Sequence, residues 1–187
     1  MTTTAATSAT SAAGSAGLWL RPARADEAEL LSEIALRGKA WWGYSPSFLE
    51  ACRDELTLTP IDAARTGVAV VDGRVAGFHL IGEVERSGAR PGVGELHMLF
   101  TDPDFTGQGV GRVLLEDARA AAAARGWTHL LVESDPNAVG FYSRLGAVPV
   151  GERLSGSIPG CSLPLLEVPT RAAGGGSLGG YRATYWR

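Results

Sequence analysis

The chain has 187 residues, 45% of them apolar, which suits one compact domain with a substantial core. Its 20 acidic side chains outnumber 17 basic ones for a net charge of −3, with a single lysine, Lys39, and dispersed arginines; this balance argues against a continuous basic patch and a nucleic-acid partner. The two cysteines, Cys52 and Cys161, are too few for a disulfide framework and lack metal-ligand spacing, so they read as reduced, buried thiols of a cytoplasmic protein that holds no metal.

Residues 1–16, rich in Thr, Ala and Ser, have neither a basic segment nor an apolar run and read as a disordered tail rather than a signal peptide. No stretch predicts membrane insertion, and a single domain is expected over 17–169. Leu18 to Arg21 is a short strand, and Ala25 to Gly38 carries Ala28, Leu30, Leu31, Ile34 and Ala35 at helical spacing. Ser45-Pro46-Ser47 supplies N-cap chemistry for a second helix over 47–56, with a smaller turn near Pro60 to Ala64. Val68 to Val71 and Arg74 to Glu85 flank Asp72-Gly73, the strongest hairpin signal in the chain. A strand over Glu95 to Thr101 leads through the turn Asp102-Pro103-Asp104 into the run Thr106-Gly107-Gln108-Gly109-Val110-Gly111. A helix with Val110, Val113, Leu114, Ala118 and Ala121 on one stripe follows, then a strand over His129 to Val132 and a short helix with Phe141-Tyr142 that ends at Gly146. Closing strands are expected near Val148 to Arg153 and Leu163 to Leu166, and a glycine-rich tail, 170–187, carries Tyr181, Tyr185 and Trp186. The order describes an α/β protein with a mixed sheet flanked by helices.

The glycine run carries the chemistry. Alternating glycines let backbone turn tightly and approach a ligand, and the unpaired N–H groups of the following helix present partial positive charge, so a pyrophosphate can be held without lysine. A phosphate loop of the nucleotide-triphosphatase kind is excluded, because Arg112 and Val113 stand where Lys and Ser or Thr are required. A dinucleotide fold fits badly: Arg112 occupies the third glycine site, the run starts late after its strand, and about 75 residues follow, too few for the full parallel sheet.

Thr106 to Gly111 resembles the acyl-CoA signature of the GNAT acyltransferase superfamily: Gln or Arg, two residues of any kind, Gly, any residue, then Gly or Ala. Gly109 and Gly111 fall on the small positions, and Thr106 departs from the Gln or Arg at the entrance. The resemblance continues through Asn137-Ala138, Phe141-Tyr142 and Leu145-Gly146-Ala147 and covers most of Leu18 to Glu167. It implies a mostly antiparallel sheet of about six or seven strands with about four helices, and an acyl-CoA loop between strand 4 and helix 3. It also implies an N-acetyltransferase that moves an acetyl group from acetyl-CoA directly to a primary amine of a small molecule or peptide; a noncatalytic acyl-CoA-binding or sensing module is the alternative. A homodimer is compatible with this reading.

The same resemblance distributes roles. Glu95, eleven residues before the signature, matches a general base of several members, and His97 on the same strand is a second candidate. Strand alternation puts Glu95, His97 and Leu99 on one face unless a bulge intervenes. Tyr142 matches the residue that protonates the departing thiolate. Backbone groups of Met98, Leu99 and Phe100 would pair with pantetheine, the segment Thr106, Gly107, Gln108, Gly109, Val110, Gly111 and Arg112 with pyrophosphate, and Asn137 with the pantetheine arm or the thioester region, with Phe141 and Tyr142 also against the cofactor. Asp-Pro-Asn at 135–137 is equally an ordinary helix-start turn. Trp41, Trp42 and Tyr44, outside any apolar period, would line the acceptor pocket or plug the space between helices. Residues 39–46 look like a loop of a bacterial subgroup without a settled acceptor.

Overall fold

A computed structural model describes residues 17–84 and 90–170. The expected N-terminal tail, Glu85 at the end of the expected hairpin, and residues 171–187 lie outside the described residues. The elements run β1 (Trp19–Pro22), α1 (Ala28–Ala40), α2 (Pro46–Ala51), α3 (Pro60–Ala63), β2 (Thr66–Val71), β3 (Arg74–Glu83), β4 (Val93–Thr101), α4 (Val110–Ala124), β5 (His129–Glu133), α5 (Val139–Arg144), β6 (Val148–Leu154) and β7 (Ser162–Pro169). They form one seven-stranded sheet of order β1-β2-β3-β4-β5-β7-β6, antiparallel at every pairing except β4 with β5. This is the mixed, mostly antiparallel α/β architecture expected, although the four-residue α3 makes the helix after the glycine loop the fourth rather than the third.

Local chemistry accounts for most boundaries. Asp72 and Gly73 take φ of 50° and 79°, the paired positive values of a tight hairpin turn whose twist matches the strands it joins. In α1 the residues at helical spacing that enter the core are Ala28, Leu31, Ile34 and Ala35, the last three each at most 1% exposed. Burying the two larger side chains stabilises the fold by roughly 1.5–3 kcal/mol apiece. Leu30, expected with them, is 41% exposed, because its position falls off that stripe. Ser45 accepts a hydrogen bond from the Phe48 backbone N–H as the N-cap of α2, which ends at Ala51 rather than near Leu56; turns continue from there.

Two layers cover the sheet. Val68, Val70 and Phe78 pack with Leu31, Ile34, Leu56 and Leu58 of the α1–α3 layer, and Ile81, Leu96, Leu130 and Leu166 pack with Leu115, Ala118 and Ala122 of α4. Alanines on the inner stripe of α4 let it lie close across the sheet, and Gly126, at φ 78°, ends it in a left-handed cap. Cys52 is buried and Cys161 only partly so; both are free thiols. His79 is fully buried with its Nε2 2.8 Å from Asp117, and His129 bonds Thr128. Neither lines the cleft described next.

Candidate active site

β4 and β5 pair only from Val93–His129 to Glu95–Leu131. Beyond that point the strands part, and the gap opens into a cleft of about 600 Å³. Its walls are Leu96 to Thr101 on one side and Val132 to Asp135 on the other, with the glycine loop at its head and Phe141 and Tyr142 of α5 beneath. Parting the strands leaves polar backbone groups of β4 without a neighbouring strand, a ready edge for an amide-bearing ligand.

The β4 edge is irregular. Leu80 pairs with Met98 but Ile81 with Leu96, so β4 carries one extra residue, His97, in a β-bulge. Leu96 and Leu99 therefore both pack against the α4 layer, whereas Met98 and Phe100 face the α1–α3 layer. The simple alternation of Glu95, His97 and Leu99 is broken. His97 is exposed and lines the cleft, its ring laid over Gly82, where a Cβ would come within 2.3 Å of Nε2.

In the glycine run the three glycines have different reasons. Gly107 and Gly109 hold φ of 81° and 82°, conformations that suit glycine, and Gly109 is the N-cap of α4. Gly111 is helical, and a Cβ there would make only ordinary contacts at 3.4 Å with Phe141 and Thr101. Thr106, Gly107, Gly109, Val110, Gly111 and Arg112 line the cleft; Gln108 folds back, its side chain donating to the Asp104 carbonyl at 3.3 Å. The N–H groups of the first turn of α4 point at this head. The turn before the loop is held from outside: the buried Asp102 carboxylate accepts from Asp104 N–H at 3.0 Å and from the Arg37 guanidinium on α1 at 3.0 Å.

The other expected residues separate into those in the cleft and those behind it. Tyr142 lines it while almost fully buried, and burial pushes its phenol well above the ordinary tyrosine range. Trp41 and Trp42 line the mouth, 58% and 45% exposed, and do not plug the helices. Glu95 is buried and outside the lining, bonded to Arg153 Nη1 at 2.9 Å; the same nitrogen bonds Glu133, which does line the cleft. Tyr44 and Asn137 also stand outside the lining. They meet each other at 3.2 Å, and both bond Asp135.

Arg153, Glu133, Lys39 and Asp135 were given no part in the site by the reading of the sequence. Lys39 Nζ lies 2.8 Å from Asp135 and stacks over Tyr44. Desolvation raises the pKa of Glu55, with the Glu133 charge adding to the effect and Lys39 opposing it. Ser157 Oγ donates to Glu55, which brings the β6–β7 connection over the turns that follow α2. The one signal the sequence offered was the isolation of Lys39 beside four residues containing three aromatics.

The sheet is open and splits at its single parallel pair, with a glycine loop heading the helix that crosses the split. The family model for the acetyltransferase (GNAT) family matches residues 34–147, and the chain belongs to this family. It is thus an acyltransferase. It is 34% identical, over 68% of its length and 81% of the relative's, to the peptidyl-lysine N-acetyltransferase YjaB of Salmonella typhimurium. The solution structure of apo YjaB from Escherichia coli superposes with a TM-score of 0.58 at 27% identity, covering 84% of this chain and 99% of that one. The PaiA N-acetyltransferase of Thermoplasma acidophilum, solved in complex with coenzyme A, shares the fold with a TM-score of 0.64 at 19% identity, over 82% and 99% of the two chains. Among the described residues no helix is long and apolar enough to cross a membrane.

Proposed function

We propose that the protein transfers an acetyl group from acetyl-CoA directly to a primary amine, in a ternary complex in the cytoplasm. The observation that carries this reading is the parting of β4 and β5 beneath the glycine loop, which gives one cleft an anion-binding head, an unpaired strand edge and an aromatic mouth. Acetyl-CoA, when bound, supplies the activated thioester. The residues that would hold it are Gly107 to Arg112 at the pyrophosphate, by backbone N–H, and the Met98–Phe100 edge along pantetheine.

The acceptor enters past Trp41 and Trp42. His97, exposed on the bulge and part of the cleft lining, is open to an incoming amine, whereas Glu95 is buried and bonded to Arg153, whose Nη1 also bonds Glu133 of the lining. We therefore assign the base role to His97 and a charge-holding role to Glu95. Tyr142 donates to the departing thiolate, and its raised pKa keeps that proton in place at any ordinary assay pH. The YjaB relationship supports a lysine side chain, in a peptide or a small molecule, as the acceptor to test first.

Thermal unfolding with acetyl-CoA, coenzyme A and NAD, followed by thiol release with a panel of amines, tests this. A ligand at a hundredfold excess over its Kd adds about 2.7 kcal/mol of stability. Acetyl-CoA and coenzyme A are expected to raise Tm and NAD to leave it unchanged. Tyr142→Phe is expected to keep that shift and lose about a hundredfold in kcat, the lower range for a positioned proton donor. Stabilisation without thiol release for any amine would instead identify an acyl-CoA sensor.

A further inference from the structure

The two walls of the cleft mouth come from distant parts of the chain, and one carboxylate joins them. Lys39 and the Trp41–Trp42 pair end α1 and begin the connection to α2; Asp135 opens the turn between β5 and α5 that borders the acyl end of the cleft. The Asp135 carboxylate accepts from Lys39 Nζ at 2.8 Å and from Tyr44 Oη at 3.0 Å. It also accepts from the Asn137 backbone N–H at 2.9 Å and the Asn137 side-chain amide at 3.1 Å. The Lys39 and Asp135 side chains are only 16% and 11% exposed. Tyr44 stacks on Phe48 with centroids 4.3 Å apart, and Lys39 Nζ lies 5.2 Å over the Tyr44 ring. Trp41 and Trp42 sit between the two residues, Lys39 and Tyr44, that Asp135 holds.

We propose that Asp135 is a positioning residue that pins the aromatic acceptor wall to the acyl side of the cleft. The inference rests on the reading of this cleft as an acetyltransferase site. None of these bonds reaches the glycine loop or the β4 edge, so loss of the pin acts on use of the amine and not on retention of the cofactor. Asn137 is drawn into the same pin, its side-chain amide donating to Tyr44 Oη and to the Asp135 carboxylate. Charge-assisted bonds from one carboxylate to a lysine and a phenol are the strong kind, and at this low exposure water competes poorly for them.

The sequence provides its own probe. Lys39 is the only lysine, so endoproteinase Lys-C cuts the untagged chain at one bond, next to the pin. Wild-type protein is expected to resist. Asp135→Asn is expected to be cut at least about tenfold faster, the factor that about 1.4 kcal/mol of lost local stability produces, with Asp135→Glu restoring resistance and unchanged acetyl-CoA affinity in the melt. Tyr44→Phe, which removes only a hydroxyl, is expected to fall between and serves if Asp135→Asn fails to fold. With a lysine-containing peptide as the amine, Lys39→Met raises KM for the peptide and not for acetyl-CoA, and Lys39→Arg recovers it. Cleavage of Asp135→Asn and Tyr44→Phe at the wild-type rate would overturn the pin. So would a loss of acetyl-CoA affinity as large as the rise in peptide KM. Absence of turnover by the wild-type protein would defeat the lysine-acceptor reading and leave the protease comparison to decide the pin.

Discussion

The three glycines of the loop look alike in sequence and differ in the fold, so single substitutions separate their roles. Alanine at Gly109 must take a φ of 82°, which costs about 1–2 kcal/mol for a residue with a Cβ, and it also places a methyl group in open space where the ligand backbone approach is expected. Alanine at Gly111 keeps a helical conformation and meets Phe141 only at 3.4 Å. Gly109→Ala is therefore expected to lower Tm and to weaken coenzyme A binding, while Gly111→Ala preserves the fold. Paired melts with and without coenzyme A measure both effects. Equal Tm for the two variants would mean that the left-handed turn at Gly109 is not a constraint on folding. At this scale the sequence was informative about which residues could touch an anion and silent about which of them turn away: Gln108 caps backward because the Asp104 carbonyl lies within its reach.

Elements were legible where the signal is local. Asp72-Gly73 marks its own hairpin, Ser45 its own N-cap, and the alanine-rich stripe of α4 its own buried face, because each is decided within a few residues. The bulge at His97 was not legible, since it exists only relative to the register of β3, and neither were Arg153–Glu95 or Lys39–Asp135, whose partners stand 58 and 96 residues apart. The entry to α1 shows the same blend of near and far. Glu27, buried, accepts from Arg21 Nη1 and Nη2 at 2.7 and 2.6 Å and from the Arg24 backbone N–H at 2.8 Å, so it ties β1 to the helix start. The Arg21 bond, chiefly, holds its pKa below the ordinary glutamate value against the desolvation of burial. A depressed carboxylate contributes stability that is present above its unfolded pKa and is lost as pH falls through the folded value. Glu27→Gln is expected to cost about 2 kcal/mol at neutral pH, the typical worth of a hydrogen bond to a charged group. In urea melts the gap between variant and wild type should close as pH falls below roughly 4. A gap that stays constant into acid would show that Glu27 acts by shape rather than charge.

For the molecule as a whole, the cleft is the consequence of how its two half-sheets are joined. β1 to β4 form one half and β5, β7 and β6 the other, and the sheet passes between them over three residue pairs, with α4 packed across both. Gly94 sits in the middle of that joint, with the ring of Trp127 against its Cα: a Cβ there would lie 2.1 Å from Cε3 and 2.4 Å from Cζ3. The ring packs against the core beneath α4, and Arg125 from the end of that helix lies over it. The joint and the start of the cleft are one residue apart, at Glu95 and Leu96, so strain at the first alters the opening of the second. Gly94→Ala is expected to destabilise the fold by about 1–3 kcal/mol, the usual cost of one methyl group too many in a packed site. It should also weaken coenzyme A binding although position 94 lies outside the cleft lining. Adding Trp127→Leu to Gly94→Ala makes room for the methyl and is expected to restore cofactor affinity more fully than Tm, because the cavity left by the indole still costs stability. Measured by melts and by titration with coenzyme A, a Gly94→Ala variant with wild-type affinity and lowered Tm would show that the joint bears on stability alone and that the glycine loop and strand edge keep their spacing without it.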